Sequence, residues 1–350
     1  MTSTKTIVFL NYLRVFSCIL IILGHIAANQ FEAISPRSFS WQCMNMYDCL
    51  AILGVPLFVM ISGSVMLSSS KSASISYILK KACKLYFLYY SWGFFYNYID
   101  YSSKYTFSLS SFKEEVVLDT LVISVHYHLW FLPMLITLYL MTPIVKSICT
   151  SRKLLEYSLI LYCIFVLFFP TLFQYDFPYR TIVQATFNRL SFPYFGQYLG
   201  YYLLGYYLSH YTNNWKKNHY SILSIGSVLC IVTIICLCGY DGYVNNTHSV
   251  IVNTPLSIFH IIACSGIFLL FKNRINQVGK ATPLIDKING LSLGVYFIHP
   301  LVIAQLSAIG ITTLSFMPLL SIPVLTLLVF AVSILFVWLL SKIPIIQYLF

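Results

Sequence analysis

Arg14 and His25 stand eleven positions apart in the first long apolar stretch, NYLRVFSCILIILGHIAAN from Asn11 to Asn29. An imidazole takes up or gives a proton near neutral pH. A guanidinium carries a permanent charge in a planar fork suited to anions. At about 100° per residue, eleven steps turn the chain about 1100°, or three turns and ~20°. The two side chains therefore share one helical face, about 16 Å apart along the axis. An Arg at the middle of a membrane helix costs roughly 2.5–3.5 kcal/mol on insertion scales, so it is kept where it meets water, an anion or a partner. A general base and an anion-holding cation on one face are the first candidates for chemistry.

The elements that position them follow from composition. The chain of 350 residues is 59% hydrophobic and 9% charged, with mean hydropathy +0.80. Runs of ~20 apolar residues recur along it, as membrane spans require. Ten spans are expected, near 7–28, 49–68, 82–99, 128–149, 154–174, 192–211, 220–240, 251–271, 291–312 and 319–341. Transmembrane β-strands alternate apolar and polar residues over ~10 positions, and these runs do not. The expected fold is an all-α polytopic membrane helix bundle of about ten transmembrane helices. The first span is too long and too polar for a cleaved signal peptide, and no small-residue cleavage site follows its apolar core. The longer connections are 29–48, 100–127 and 175–191, leaving no room for a separate soluble domain. No internal repeat is visible, which weighs against a transporter built from duplicated halves.

The net charge of +11 is distributed by topology and gives no basic patch for nucleic acid. Lys5, Lys71, Lys80, Lys81, Lys84, Lys146, Arg152, Lys153, Lys216, Lys217, Lys272, Arg274, Lys280, Lys287 and Lys342 fall on one side of the ten spans. The other side holds Arg37, Lys104, Lys113, Arg180 and Arg189, with eight of the ten acidic residues. The positive-inside rule then puts both termini in the cytoplasm. The cysteines show no metal-ligand spacing. Most read as buried small apolar residues, though Cys43 and Cys49 near an outer loop have the chance to pair.

Several strings resemble the bacterial acyltransferase-3 family of integral membrane acyltransferases, and in particular its surface-polysaccharide O-acetyltransferase branch. They are the Arg14–x10–His25 spacing, GVPLFVMISGSVML (Gly54 to Leu67), HLWFLPMLITLYLMTP (His128 to Pro143), YLGYYLLGYYL (Tyr198 to Leu208) and SLGVYFIHPLVI (Ser292 to Ile303). They occur in the family's order across about 290 residues. One departure stands out. Where the family has Arg-x-x-Arg at the mouth of its third helix, this chain reads Lys81-Ala82-Cys83-Lys84. Lysine keeps the charge but loses the bidentate grip on phosphate. No counterpart of the hydrolase-like domain fused to some members is expected after the tenth span.

The resemblance implies one integral membrane acyltransferase domain over 1–350, in the bacterial inner membrane. The implied reaction is transfer of acetyl from acetyl-CoA to a hydroxyl of a surface glycan or its lipid-linked precursor, with no metal. Acyl transfer to a hydroxyl needs a base, and His is suited to it. His25 and Arg14 are thus the expected catalytic pair. His25 is expected as base toward the hydroxyl or as first acceptor of the acetyl group. Arg14 is expected to hold the donor or stabilise developing negative charge, against a reading in which it pairs with a carboxylate or backbone carbonyls and fixes helix packing. Lys81 and Lys84 are the expected ligands of the CoA phosphates, against a reading as ordinary positive-inside anchors. His128 and Trp130 are expected at the acceptor site, the indole stacking on a sugar; an interfacial aromatic belt is the plainer reading of Trp130. His299 joins them, against a role in satisfying the backbone loosened by Pro300. Ser62 beside Gly63 reads as helix packing, and Arg180 and Arg189 face a possible acidic glycan. From inside to outside the expected order is Lys81 and Lys84, Arg14, His299 near mid-depth, then His25 and His128. On physics alone, a transporter or flippase for a lipid-linked glycan uses the same buried cations and histidines, and an export-complex subunit is a third reading.

Overall fold

The computed structural model describes residues 8–104, 106, 108–123, 126–189, 196–247, 253–275 and 282–344. It is 83% helical with no strand among the described residues. The long helices are α1 (Val8–Ala28), α2 (Phe39–Ala51), α3 (Gly54–Ser68), α4 (Ile75–Lys104), α5 (Phe131–Ile148), α6 (Arg152–Tyr162), α7 (Arg180–Arg189), α8 (Leu199–Tyr211), α9 (Lys217–Asn245), α10 (Ile258–Ile275), α11 (Pro283–Ala308) and α12 (Pro318–Leu340). A π turn over Cys163–Phe168 carries α6 on to Leu172. Pro170 explains it, since proline has no N–H for the carbonyl four residues back.

Eight helical stretches are long and apolar enough to cross a membrane among the described residues. The expected span at 82–99 lies inside α4, which runs to 30 residues, but Lys84, Asn97 and the tyrosines Tyr86, Tyr89, Tyr90, Tyr96 and Tyr98 keep it below that apolarity. Of the expected span at 192–211, the stretch 192–195 lies outside the described residues, and α8 supplies 13 helical residues. The chain is a multi-pass helical membrane protein.

Two boundaries differ from the sequence expectation. The connection expected at 29–48 is largely α2, capped by Ser38, whose hydroxyl accepts from the Trp41 backbone N–H at 3.2 Å. Its polar residues hid it, but they have partners. Gln42 donates to the Gly239 carbonyl at 3.0 Å, and Asn45 to that of Ile235 at 3.4 Å. Cys43 and Cys49 are buried free thiols in this helix. Helix α11 starts eight residues before the expected 291. Thr282 caps it, Pro283 opens its first turn and Asp286 lies near its positive end, the combination that favours a helix start.

Lipid offers helices no hydrophobic reason to associate, so close contact and internal hydrogen bonds must hold the bundle. Helices α3 and α8 touch backbone to backbone. A Cβ on Gly63 would lie 1.8 Å from the Tyr202 carbonyl oxygen, and one on Gly205 would lie 1.9 Å from that of Met60. Ser64 and Ser209 share a hydrogen bond of 2.5 Å across the same seam. Helix ends are closed by cations from other elements. Lys272, only 6% exposed, donates to the Leu208 and Ser209 carbonyls at 2.8 Å each and to the Thr212 hydroxyl at 3.0 Å. Arg37 donates to the Tyr243 and Val244 carbonyls at 2.9 and 3.3 Å. Lys146 reaches the Ser69 carbonyl just past α3. Each cation sits where last-turn carbonyls lack donors and the helix dipole is negative.

Helices α1 and α11 run parallel in a fixed register. Asn11 donates to Asp286 at 2.8 Å, and Arg14 to the Asn289 side-chain oxygen at 2.9 Å, both pairs 275 positions apart. The Gly63–Gly205 seam makes a direct prediction. Gly63→Ala or Gly205→Ala should force α3 and α8 apart and destabilise the protein by about 1–3 kcal/mol. Gly226→Ala, whose Cβ would meet only Ile262 at 3.9 Å, should melt like wild type. Thermal unfolding in detergent reads the difference.

Candidate active site

The α1–α11 register sets out the site from one end of the bundle to the other. Arg14, Ile21 and His25 recur on one face of α1, and Asn289, Tyr296 and His299 follow one another along α11. At the end near Arg14 lies a cavity of about 350 Å³. Its polar lining is Arg14 from α1, Ser62 from α3, Lys81 and Lys84 from α4, Tyr139 from α5, and Asn289, Ser292 and Tyr296 from α11. The Lys81 ammonium lies 5.4 Å from the Tyr77 ring centre and 6.0 Å from that of Tyr139. Three cations from two helices thus converge on one partly open space.

Toward the other end the cavity is lined by Ile21 and Tyr296. Ile21 precedes His25 by one turn, and Tyr296 precedes His299 by about one turn. Beyond them the histidines gather. The His25 and His299 rings lie 5.1 Å apart, and His128 and His299 lie 5.8 Å apart. His126 and His128 share a hydrogen bond of 2.8 Å between their Nδ1 atoms. Tyr127 packs edge-on against His25 at 5.3 Å, and Tyr96 stacks on His126 at 4.3 Å.

Two tyrosines fasten this cluster to the helices. The Tyr296 hydroxyl donates to the His128 carbonyl at 2.6 Å, and the Tyr96 hydroxyl donates to the Phe297 carbonyl at 2.6 Å. The first ties α11 to the turn Tyr127–Trp130, and the second ties α4 to α11. His128 and His299 are buried, 2% and 0% exposed. Among the described residues the Nε2 atom of each is buried with no hydrogen-bond partner. No group of three or more His, Cys, Asp or Glu side chains among the described residues is arranged to hold a metal ion.

Six of the seven expected site residues therefore fall into two linked groups: Arg14, Lys81 and Lys84 around the cavity, and His25, His128 and His299 beyond it. Trp130 stands apart. It is 48% exposed and its ring faces Tyr198 at 6.0 Å. His299 differs from its expected depth, because the early start of α11 sets it level with His25. Arg180 pairs with Asp176 at 2.8 Å. Sequence reasoning gave no role to Asn289, Tyr139, Tyr296, Tyr96 or His126. Tyr296 was within reach, being three residues before His299 on the same face. Asn289 lay before the expected start of its span, and nothing local marks it as the partner of Arg14.

The arrangement sets Arg14, Lys81 and Lys84 around one cavity and a group of imidazoles beyond its other end. Comparison with known proteins gives the class. A family model described as an acyltransferase domain matches residues 7–339, nearly the whole chain. The protein is thus an integral membrane acyltransferase; it belongs to the acyltransferase-3 family. No curated protein and no solved structure matches the chain.

The Arg14–Asn289 bond gives the site its own stability test. Asn289→Leu leaves the guanidinium without its amide partner, and hydrogen bonds to charged groups contribute about 1.5–3 kcal/mol. Its melting temperature should fall, whereas Asn289→Asp, which keeps an acceptor, should hold it. Equal melting of wild type and Asn289→Leu would show that the bond contributes nothing.

Proposed function

We propose that the chain is an O-acetyltransferase of the bacterial inner membrane, moving acetyl from cytoplasmic acetyl-CoA to a hydroxyl of a surface glycan or its lipid-linked precursor. The observation that carries this reading is the convergence of Arg14, Lys81 and Lys84 on one cavity that ends beneath the histidine cluster. CoA bears several phosphates at one end and its thioester at the other. The cations suit the first end and the imidazoles the second.

Distance divides the labour within the expected catalytic pair. Eleven residues at 1.5 Å place Arg14 about 16 Å along the helix from His25. A guanidinium that far off does not touch an oxyanion formed at the imidazole. Arg14 therefore holds the donor, and its hydrogen bond to Asn289 fixes the fork in place. Lys81 and Lys84 lie nearer the mouth and act as point charges on phosphate. His25 supplies proton transfer as the hydroxyl oxygen attacks the thioester carbon and the thiolate departs. The acceptor enters from the opposite end, against His128 and His299. Trp130, 48% exposed and turned toward Tyr198, stands beside this cluster and not within it.

The test is transfer of radiolabelled acetyl from acetyl-CoA to the extracted surface glycan of the host. Wild type should transfer label, and equally expressed His25→Ala should lose it by about 10²–10⁴-fold. Lys81→Met and Lys84→Met should each raise the KM for acetyl-CoA roughly two- to fivefold with kcat retained, as exposed charge pairs contribute 0.2–1 kcal/mol. Salt should shrink that effect. A protein that moves glycan across the membrane without acylating it would be a flippase, and this reading would fail.

A further inference from the structure

The second buried histidine of the cluster has a defined chemical state. His299 Nδ1 lies 3.0 Å from the carbonyl of Val295, one turn back on α11. A carbonyl only accepts, so Nδ1 carries the proton and donates it. In the neutral ring the lone pair is then on Nε2. That atom is buried and has no hydrogen-bond partner among the described residues. A buried acceptor left without a donor loses its hydration with nothing in return, and native structures leave few of them without a reason. The ring is held in place from several sides. His25 lies 5.1 Å away, His128 5.8 Å and Tyr296 6.3 Å between ring centres. Pro300 follows directly, and its missing N–H leaves the Tyr296 carbonyl without its helical donor.

We propose that His299 Nε2 is the base that takes the proton from the acceptor hydroxyl. The proposal rests on the acyl-transfer reading and divides the proton work between two histidines. As the hydroxyl oxygen bonds to the thioester carbon, its O–H bond breaks and the proton goes to His299 Nε2. The C–S bond then breaks and the carbonyl re-forms. The proton passes from His299 to the neighbouring His25 and on to the departing thiolate sulfur, leaving an ester and a free thiol with both rings neutral again. The fixed tautomer is what makes His299 the first acceptor in this chain. Its Nδ1 hydrogen bond spends no lone pair, so Nε2 enters the reaction already bare.

Two substitutions separate this role from a purely structural one. His299→Asn puts an amide N–H near the Nδ1 position, able to donate to Val295, but removes the lone pair at Nε2. His299→Gln sends its amide toward the Nε2 position and leaves Val295 without that donor. Rates of acetyl transfer are measured with purified full-length protein in nanodiscs and normalised to molecules that bind labelled CoA. That counting excludes misfolded protein. The expected result is a melting temperature and CoA affinity for His299→Asn like those of wild type, with transfer lowered at least about a hundredfold. His299→Gln should be as inactive per CoA-binding molecule. Transfer by His299→Asn within about threefold of wild type would overturn the proposal, since a general base contributes far more. It would do so while leaving the acyltransferase reading intact, provided wild type transfers label. Absence of transfer by wild type would instead overturn both.

Discussion

The pairing of α1 with α11 is the contact on which the site depends. An Arg inside an apolar helix is tolerated only where its donors find acceptors, and Arg14 finds Asn289. One turn away, Asn11 finds Asp286 in the same register. Two side-chain bonds at one spacing fix both the direction and the level of the two helices. Everything nearer the far end follows from it. With the register set near the cavity, His25 and His299 must arrive side by side. A shift of one turn, about 5.4 Å, would separate the rings and uncouple the imidazoles from the cavity below.

That register holds only if the helices around it do not slide, and the remaining contacts are suited to preventing this. Gly63 and Gly205 let α3 and α8 meet at their backbones, where dispersion and the Ser64–Ser209 bond act without intervening side chains. Lys272 closes the end of α8 and Arg37 the end of α9. A lysine buried in this way satisfies several carbonyls at once, so its charge is solvated by the ends of helices instead of water. The tyrosines do the same work at the site. Tyr296 and Tyr96 each donate to a backbone carbonyl of a neighbouring element, which fixes both buried rings and ties those elements together.

What the sequence disclosed and what it hid have physical reasons. Helical periodicity put Arg14 and His25 on one face, because that relation is local to one helix. The ordered strings around Gly63, His128 and His299 carried the family. Hydropathy drew the helices where apolar residues dominate and failed where polar residues have hidden partners. In the sequence α2 reads as a connection because Gln42 and Asn45 look solvent-bound, yet both bond the backbone of α9. The start of α11 was missed because Asp286 and Asn289 look like loop residues, yet they are the partners of Asn11 and Arg14. The same error misplaced His299 in depth. Pairings between residues 275 positions apart leave no local signature in a single sequence. Lys272 shows the converse, a cation on the expected basic side that is also a structural donor to α8.

The separation of charge from proton transfer has a consequence for how such a site works. A cation beside the imidazoles would hold them neutral by repulsion and compete for the oxyanion. A cation about 16 Å away along α1 does neither to any great extent. On the proposed reading, with CoA as donor, it would act on the far end of the donor, so that binding energy from the phosphates could position a thioester that itself makes few polar contacts. Binding energy from a non-reacting part of a substrate is a recognised means of orienting the reacting part. In this fold the ruler between the two groups is the α1–α11 seam itself, with Ile21 and Tyr296 lining the cavity between them. On the proposed reading, the length of one helix face would set which part of the donor meets charge and which part meets the histidines.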